Sequence, residues 1–210
     1  MRLTTVEPVQ RGPAETPARG PVAIGRLSAW GVLIAGVVGL TASATLLIEK
    51  IEMLQDPGYV PTCSINPVLS CGSVMVRPEA SAFGFPNPLI GVVSFTLVVV
   101  TGVLAVARVG LPRWYWLGLT VGAGLGVVFT HWLIFESLYK IGALCPYCMV
   151  VWSVIVPLFA VVAPIALRPL AANPVARFLY HWRWPLVALW FTAVALAILV
   201  RFWDYWSTLI

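Results

Sequence analysis

Residues 88–107 read PLIGVVSFTLVVVTGVLAVA and contain no Asp, Glu, Lys or Arg. A helix of about 20 such residues crosses a hydrocarbon core roughly 30 Å thick. Four further stretches without charge lie at 27–48, 114–135, 149–167 and 185–200. The last stretch is shorter, but it is extended by aromatic residues suited to the membrane interface, namely Phe202, Trp203, Tyr205 and Trp206. The sequence therefore predicts an all-α integral membrane protein with five transmembrane helices.

The composition of the whole chain agrees with this prediction. Of the 210 residues, 60% are hydrophobic and 10% are charged, whereas soluble domains are typically about 45–50% apolar and about 25% charged. Because a soluble fold of this size cannot bury so much apolar surface, a water-soluble enzyme, a disordered chain and a small secreted disulfide protein are excluded. The net charge of +5 does not indicate nucleic-acid binding, since the basic residues are scattered along the chain.

The placement of Lys and Arg predicts the orientation of the helices. With a cytoplasmic N-terminus, most of the 13 basic residues lie inside, and the outside holds only Lys50, Arg77, Lys140 and Arg201. We therefore expect a multi-pass protein of the cell (inner or plasma) membrane with its C-terminus on the extracytoplasmic side. All four cysteines then lie outside, where disulfides form and persist.

The N-terminal segment, residues 1–26, contains several prolines and no apolar periodicity, which predicts a disordered cytoplasmic tail. The apolar run that follows reaches a small-residue stretch at 42–44 and resembles a cleavable signal peptide. Because that run continues through Ile48, a spanning helix is the better interpretation.

The connections between spans include one long outer loop, residues 49–87, with many turn and breaker residues. Ser70 or Ser73 could begin a short helix within this loop. Residues 168–184 are predicted as a cytoplasmic connection, and residues 185–210 as a fifth helix with a short outer end.

A glycine stripe in the third span consists of Gly118, Gly122 and Gly126, one at every fourth residue. Such spacing lets a neighbouring helix approach closely. We interpret the stripe as a packing feature without a functional meaning.

The motif Cys145-Pro146-Tyr147-Cys148 stands at the predicted outer end of the fourth helix. A helix N-terminus stabilises a thiolate through free backbone N–H groups and the helix dipole, which lowers the thiol pKa. A C-x-x-C pair forms an exchangeable disulfide rather than a structural one. Phe135 and Trp152 belong to the same depth, so the pair is expected at the boundary between lipid and water.

The other two cysteines, Cys63 and Cys71, lie close together in the outer loop, and Gly72 follows the second. A disulfide closing so small a loop stabilises a fold only modestly. We therefore interpret it as a mobile, solvent-exposed pair that carries electrons to the C-x-x-C pair. Two alternatives remain, a pair of inert structural disulfides and a four-cysteine site in a membrane metal-binding or transport component.

A relay of two thiol pairs needs an electron acceptor that lives in the membrane. The sequence has no glycine-rich phosphate loop for a nicotinamide or flavin. Two separated histidines and four cysteines give no ligand set for haem or an iron–sulfur cluster. We expect a quinone of the menaquinone, ubiquinone or vitamin K type as acceptor, and neither a metal nor a flavin.

Three motifs together resemble the bacterial branch of the vitamin K epoxide reductase family: CSINPVLSCGSVM at 63–75, FGFPNPLIG at 83–91 and CPYC at 145–148. The resemblance covers about 27–167 and implies a catalytic four-helix transmembrane bundle, to which the fifth helix is added. The DsbB family of quinone-linked oxidases places its C-x-x-C in the first outer loop. Here the widely spaced pair comes first, which favours the vitamin K epoxide reductase family.

The resemblance implies a quinone-dependent thiol oxidoreductase that supports disulfide bond formation. Cys63 would exchange with a partner's dithiol, and Cys71 would pass the electrons to Cys145. Cys148 would then reduce the quinone. Because some bacterial members carry a thioredoxin-like domain after the fifth helix and this chain ends at Ile210, we expect a separate thioredoxin-like, DsbA-like partner on the extracytoplasmic side.

The resemblance also suggests residues that contact the quinone. Asn87 matches a family position that hydrogen-bonds a quinone oxygen, although from the sequence alone a helix N-cap is the favoured role. Trp152 replaces a tyrosine of the animal members, and its indole N–H can still donate a hydrogen bond. Phe135 and Tyr147 complete the predicted contacts.

Charged residues near the outer ends of the spans allow further predictions. Glu136 and His131 could relay protons to a reduced quinone, but we favour a simpler interpretation. In it Glu136 pairs with Lys140 at i+4, and His131 is hydrogen-bonded within the bundle. Arg201 and Asp204 are expected to pair at the membrane surface.

Overall fold

The computed structural model describes residues 21–56, 58–167 and 173–208. In these ranges the regular secondary structure is helical, and the helices are joined by loops. The bounds of its helices, in chain order, are α1 (Arg26–Gln55), α2 (Cys71–Met75), α3 (Asn87–Val106), α4 (Arg113–Phe135), α5 (Pro146–Ala166), α6 (Pro174–Arg201) and α7 (Trp203–Trp206). A 3₁₀ turn at Pro78–Ser81 precedes α3, and a π-helical segment at Glu136–Ile141 continues α4. Pairing of β type in these ranges is limited to two isolated bridges.

Five of these helices are long and apolar enough to cross a membrane: α1, α3, α4 with the π-helical segment, α5 and α6. The prediction of an all-α, multi-pass membrane protein is confirmed. The first helix is continuous through the small-residue stretch at 42–44, where Ala42 and Ser43 are buried.

The fifth spanning helix begins earlier than predicted, at Pro174 instead of Pro185. The Asn173 side chain accepts a hydrogen bond from the Val175 N–H at 2.9 Å and caps the helix. Proline is favoured in the first turn because its missing N–H would have no partner there. Residues 174–184, which were predicted as part of the cytoplasmic connection, therefore belong to α6.

The bundle is formed by α1, α3, α4 and α5, with α1 packed against α3 and α5, and α5 packed against α4. Glycines allow α1 and α3 to approach each other closely. A Cβ added at Gly36 would lie 2.8 Å from the Val99 nitrogen. Buried Trp116, Val32 and Val162 fill the centre, and α6 packs against α5 at the side.

The glycine stripe of α4 has a different role from the one predicted. A Cβ at Gly118 or Gly122 would meet nothing within 4 Å, and only Gly126 approaches a neighbour, Ile155. The packing prediction is wrong for the first two, because their side of α4 borders a cavity. The missing side chains leave that space open.

Both ends of the described chain also correct the predictions. Residues 21–25 are ordered: the Val22 N–H donates to the Leu111 carbonyl at 2.8 Å, and Ile24 is buried. The rest of the predicted tail, 1–20, lies outside the described residues.

At the other end, the predicted pair of Arg201 and Asp204 is wrong. The Arg201 Nε–H donates instead to the Leu138 carbonyl at 2.7 Å, while Asp204 lies in the first turn of α7 and is exposed. Within the described ranges the structure contains a single ion pair, between Lys140 and Glu136. Arg201 thus ties the end of α6 to the π-helical segment.

Candidate active site

The four cysteines form one cluster at the outer end of the bundle. Cys63 and Cys71 are joined by a disulfide, with their Cα atoms 5.5 Å apart, and Cys145 and Cys148 are free thiols. The Cys145 sulfur lies 3.1 Å from the Cys71 sulfur. A thiol therefore stands in contact with a disulfide, which is the arrangement needed for thiol–disulfide exchange.

Backbone pairing brings these two chain segments together. Leu69 and Leu144 form an isolated parallel bridge, in which the Leu144 N–H donates to the Val68 carbonyl at 2.7 Å and the Ser70 N–H donates to the Leu144 carbonyl at 2.9 Å. Ser70 then caps α2 by accepting from the Ser73 N–H, which confirms the short helix predicted here. The bridge places the start of α2 beside the start of α5, with one cysteine at each.

Cys145 is the N-cap residue of α5, as the C-x-x-C position predicted. A hydrogen bond from the Cys148 thiol lowers the pKa of Cys145, and the backbone N–H groups of Cys148 and Tyr147 lower it further, against the opposing effect of burial. Cys145 is only 1% exposed. The thiol nearest the disulfide is therefore also disposed to ionise to the attacking thiolate.

The pair formed by Cys63 and Cys71 is not solvent-exposed as predicted, since the two residues are 6% and 0% exposed. Both pack in a buried cluster with Leu46, Met75 and Cys145, and a carboxylate of α1 holds the segment that precedes Cys63. Glu49 accepts hydrogen bonds from the Tyr59 hydroxyl at 2.9 Å and the Thr62 N–H at 3.1 Å, and also from the Thr62 hydroxyl.

These bonds to Glu49 hold the segment that leads into Cys63. They are charge-assisted and so stronger than neutral hydrogen bonds. Tyr59 remains a donor, because hydrogen bonds to Glu52 and Glu49 raise its pKa. This Glu49 clasp, the set of hydrogen bonds from Tyr59 and Thr62 to Glu49, could not be predicted from the sequence, since Glu49 lies on a spanning helix and its partners lie in the loop.

An apolar cavity of about 460 Å³ lies inside the bundle and reaches the C-x-x-C pair. Cys145 and Cys148 form part of its wall, and Gly118 and Gly122 give it width. Its size falls within the range of small-molecule sites. The absent glycine side chains and the apolar wall fit a flat, apolar ring such as that of a quinone.

Two of the predicted quinone contacts, Asn87 and Trp152, line this cavity. Asn87 is the first residue of α3 and does not cap that helix. Its Oδ1 accepts from the Ala82 N–H at 3.0 Å, and its Nδ2 donates to the Glu79 carbonyl at 2.7 Å. The N-cap role favoured from the sequence is wrong, because the side chain reaches back to the preceding loop. Its Nδ2 keeps a second hydrogen.

The other two predicted contacts, Phe135 and Tyr147, are not among the cavity-lining residues. Phe135 is 50% exposed and lies 5.1 Å, centroid to centroid, from Tyr139. Tyr147 packs against the cysteine cluster.

The predicted ion pair of Glu136 and Lys140 is confirmed. The Lys140 ammonium contacts Glu136 Oε1 at 2.9 Å. His131 is hydrogen-bonded, as predicted, but on the side of the bundle that faces α6: it is exposed, lies 2.7 Å from the Val127 carbonyl of its own helix, and accepts from the Trp190 Nε1–H of α6, also at 2.7 Å. A further polar residue of the cavity was missed, Lys50, whose ammonium donates to the Met75 carbonyl at 2.6 Å.

A metal site at the cysteines would use the same atoms as the exchange reaction. The sulfurs of Cys63, Cys71 and Cys145 lie within 4.8 Å of one another. Two of them are consumed by the disulfide, and a disulfide sulfur is not the thiolate ligand that zinc requires. In this redox state the geometry supports exchange between sulfurs.

Fold and site together define a class of protein: a helical membrane oxidoreductase with two cysteine pairs in contact beside an apolar cavity. The family model of the vitamin K epoxide reductase family matches residues 30–163, more than half of the chain. The chain belongs to the vitamin K epoxide reductase family, which confirms the resemblance in its motifs. No curated protein compared with the chain matches it.

Proposed function

We propose that this protein oxidises the dithiol of a thioredoxin-like, DsbA-like partner and passes the electrons through two cysteine pairs to a membrane quinone. The reaction would support disulfide bond formation on the extracytoplasmic side of the cell membrane. One observation carries the proposal: the Cys145 sulfur lies 3.1 Å from the Cys71 sulfur, while Cys145 and Cys148 also form part of the cavity wall. The electrons therefore have a short path from the loop to the interior of the bundle.

The outer half of the reaction takes place at Cys63 and Cys71. A thiolate of the partner attacks the Cys63 sulfur, which breaks the Cys63–Cys71 bond and forms a mixed disulfide. The second thiol of the partner then displaces Cys63, so the partner leaves oxidised and the loop pair is left as two thiols. The burial of Cys63 requires the segment held by Glu49 to open first.

The inner half transfers these electrons to the C-x-x-C pair. The Cys71 thiolate attacks the Cys145 sulfur of a Cys145–Cys148 disulfide and releases Cys148. Cys63 then attacks Cys71, which restores the loop disulfide and releases Cys145. The redox state of the structure, with a loop disulfide and two free inner thiols, corresponds to the product of this transfer.

The cavity is the proposed binding site of the quinone, which accepts two electrons and two protons when bound. Cys145 and Cys148 close their disulfide in this step. The second Nδ2 hydrogen of Asn87 and the indole N–H of Trp152 are donors suited to quinone oxygens. Both residues line the cavity, and Trp152 is 4% exposed, so its ring is held in place.

The proposed arrangement in the membrane follows from the charges. The catalytic bundle comprises residues 27–167, the N-terminus is cytoplasmic, and the cysteine cluster faces the extracytoplasmic side. Lys50 and Lys140 belong to this outer side, where basic residues are fewer.

Differential alkylation followed by mass spectrometry tests the proposal. In membranes that contain quinone we expect the cysteines to be largely disulfide-bonded, and in quinone-depleted membranes we expect thiols to accumulate at all four positions. A redox state that does not respond to quinone would contradict the proposal. Thiols protected from alkylation only while zinc is bound would instead support the metal-binding alternative.

A further inference from the structure

We propose that Glu136 carries a proton from the inner cysteine pair to the electron acceptor in the cavity. This inference rests on the proposed function, because it assigns a proton path to the quinone-reducing step. Glu136 is 2% exposed and lines the same cavity as Cys145 and Cys148. Its side chain therefore lines the same cavity as the groups that lose protons.

One oxygen of this carboxylate has no partner. Oε1 contacts the Lys140 ammonium at 2.9 Å, whereas Oε2 is buried and makes no hydrogen bond within the described part of the chain. An unpaired buried carboxylate oxygen is costly. An oxygen kept in this condition at a cavity wall is available to take and release a proton.

The π-helical segment sets the direction of this side chain. π-Helical turns are rare and occur frequently at functional sites. Here Glu136, Ser137 and Leu138 are all buried, while the Lys140 side chain is 59% exposed. Gly142, at φ 71°, ends the segment. The carboxylate is thus fixed on the inner side, with its cationic partner on the outer side.

The other charged groups around the cavity do not offer the same chemistry. Lys50 and Glu79 also line it, but the Lys50 ammonium donates to the Met75 carbonyl, and Glu79 is partly exposed. Arg201 approaches the π-helical segment from α6 and donates to the Leu138 carbonyl. Among the described residues that line the cavity, Glu136 is the carboxylate with nine-tenths of its surface buried.

Closing the Cys145–Cys148 disulfide breaks two S–H bonds, forms one S–S bond and releases two electrons and two protons. Both electrons pass to a quinone, which becomes a quinol by gaining two O–H bonds. Glu136 takes the proton of Cys145 and passes it to one acceptor oxygen, and the proton of Cys148 goes to the other. The carboxylate ends the cycle in its starting form.

The test compares Glu136→Gln with Asp204→Asn in purified protein reconstituted in lipid, with dithiothreitol as reductant and a short-chain quinone as acceptor. Asp204→Asn removes an exposed carboxylate that does not line the cavity. For Glu136→Gln we expect kcat to fall by about 10²-fold or more, the lower range for general acid–base catalysis. We expect an unchanged KM for the quinone, partial recovery of kcat with added acetate, and wild-type behaviour of Asp204→Asn.

An infrared difference spectrum provides a readout that does not depend on turnover. While diamide oxidises the inner thiols of the wild-type protein, time-resolved spectra should show the carboxyl band of a transiently protonated Glu136, and this band should be missing in Glu136→Gln. Should wild-type protein fail to reduce the quinone, the proposed function is wrong, while the infrared change still tests Glu136. An undiminished kcat in Glu136→Gln, or no carboxyl change in wild-type protein, would overturn the inference itself.

Discussion

The loop disulfide is buried, and Glu49 holds the loop segment that precedes Cys63. We therefore expect Glu49→Gln to let this segment open more often and expose the disulfide. Glu49 accepts from the Tyr59 hydroxyl, the Thr62 N–H and the Thr62 hydroxyl, and all three bonds end on a carboxylate. Glutamine keeps one acceptor oxygen, and its amide nitrogen can only donate. With its oxygen at the Oε2 position glutamine still accepts from the Tyr59 hydroxyl and the Thr62 N–H, and its amide nitrogen can donate to the Thr62 hydroxyl, so the variant loses the negative charge that strengthens all three bonds.

The size of the effect follows from the strength of these bonds. A hydrogen bond to a charged group contributes about 1.5–3 kcal/mol. Weakening all three bonds by removal of the charge, taken together as about 2 kcal/mol, increases the open fraction of the loop by roughly 30-fold, since about 1.4 kcal/mol is tenfold. Tyr59→Phe removes a single bond and leaves the carboxylate, so a smaller increase is expected.

The assay measures how fast a water-soluble phosphine reduces the Cys63–Cys71 disulfide. Samples are alkylated at intervals, and the modified Cys63 peptide is measured by mass spectrometry. We expect Glu49→Gln to be reduced fastest, then Tyr59→Phe, then wild-type protein, with Asp204→Asn matching wild type. If Glu49→Gln were reduced no faster than wild type, the clasp would not control access to the disulfide.

The remaining predictions concern the cysteines and the cavity. The double variant Cys63→Ser, Cys148→Ser leaves only Cys71 and Cys145, whose sulfurs lie 3.1 Å apart, so two-electron oxidation by diamide should join them in a disulfide, and absence of this cross-link from non-reducing peptide maps would contradict the relay. The ultraviolet thiolate absorbance of Cys145 should persist to a lower pH than that of an ordinary thiol, because its pKa is lowered; Cys148→Ala, which removes the largest cause, should move the titration upward. Gly122→Leu should fill the cavity and raise the KM for quinone by roughly tenfold, a loss of about 1.4 kcal/mol, without changing the phosphine rate; an unchanged KM would place the quinone elsewhere. Cys63→Ser should abolish partner oxidation but retain quinone reduction by dithiothreitol, and loss of both activities would argue against its outer role.

The spanning helices could be predicted because charged side chains are costly in the hydrocarbon core, so a long stretch without charge indicates contact with lipid. The start of α6 could not be found in this way. Arg177 and Arg183 lie before the uncharged stretch 185–200, so the absence of charge marks only the part of α6 that lies in the hydrocarbon core. The helix itself extends beyond the core to its capped first turn. The cap at Asn173 and the proline after it were the available signals.

Features that depend on contacts between distant segments could not be predicted from spacing. The stripe at Gly118 and Gly122 identifies a helix face without side chains. The spacing does not tell whether another helix or a cavity lies against that face. The i+4 spacing correctly indicated the pair of Glu136 and Lys140. The π-helical segment holds Glu136 with one carboxylate oxygen unpaired at the cavity. The sequence pattern did not indicate this segment.

The central claim is that electrons pass from an outer dithiol through both cysteine pairs to a quinone. The most direct measurement is quinone absorbance in liposomes that contain the purified protein, a quinone and a reduced thioredoxin-like partner. We predict that one quinone is reduced for each disulfide formed in the partner, and that Cys145→Ser stops both. Unchanged quinone absorbance with a partner that stays reduced would contradict the account.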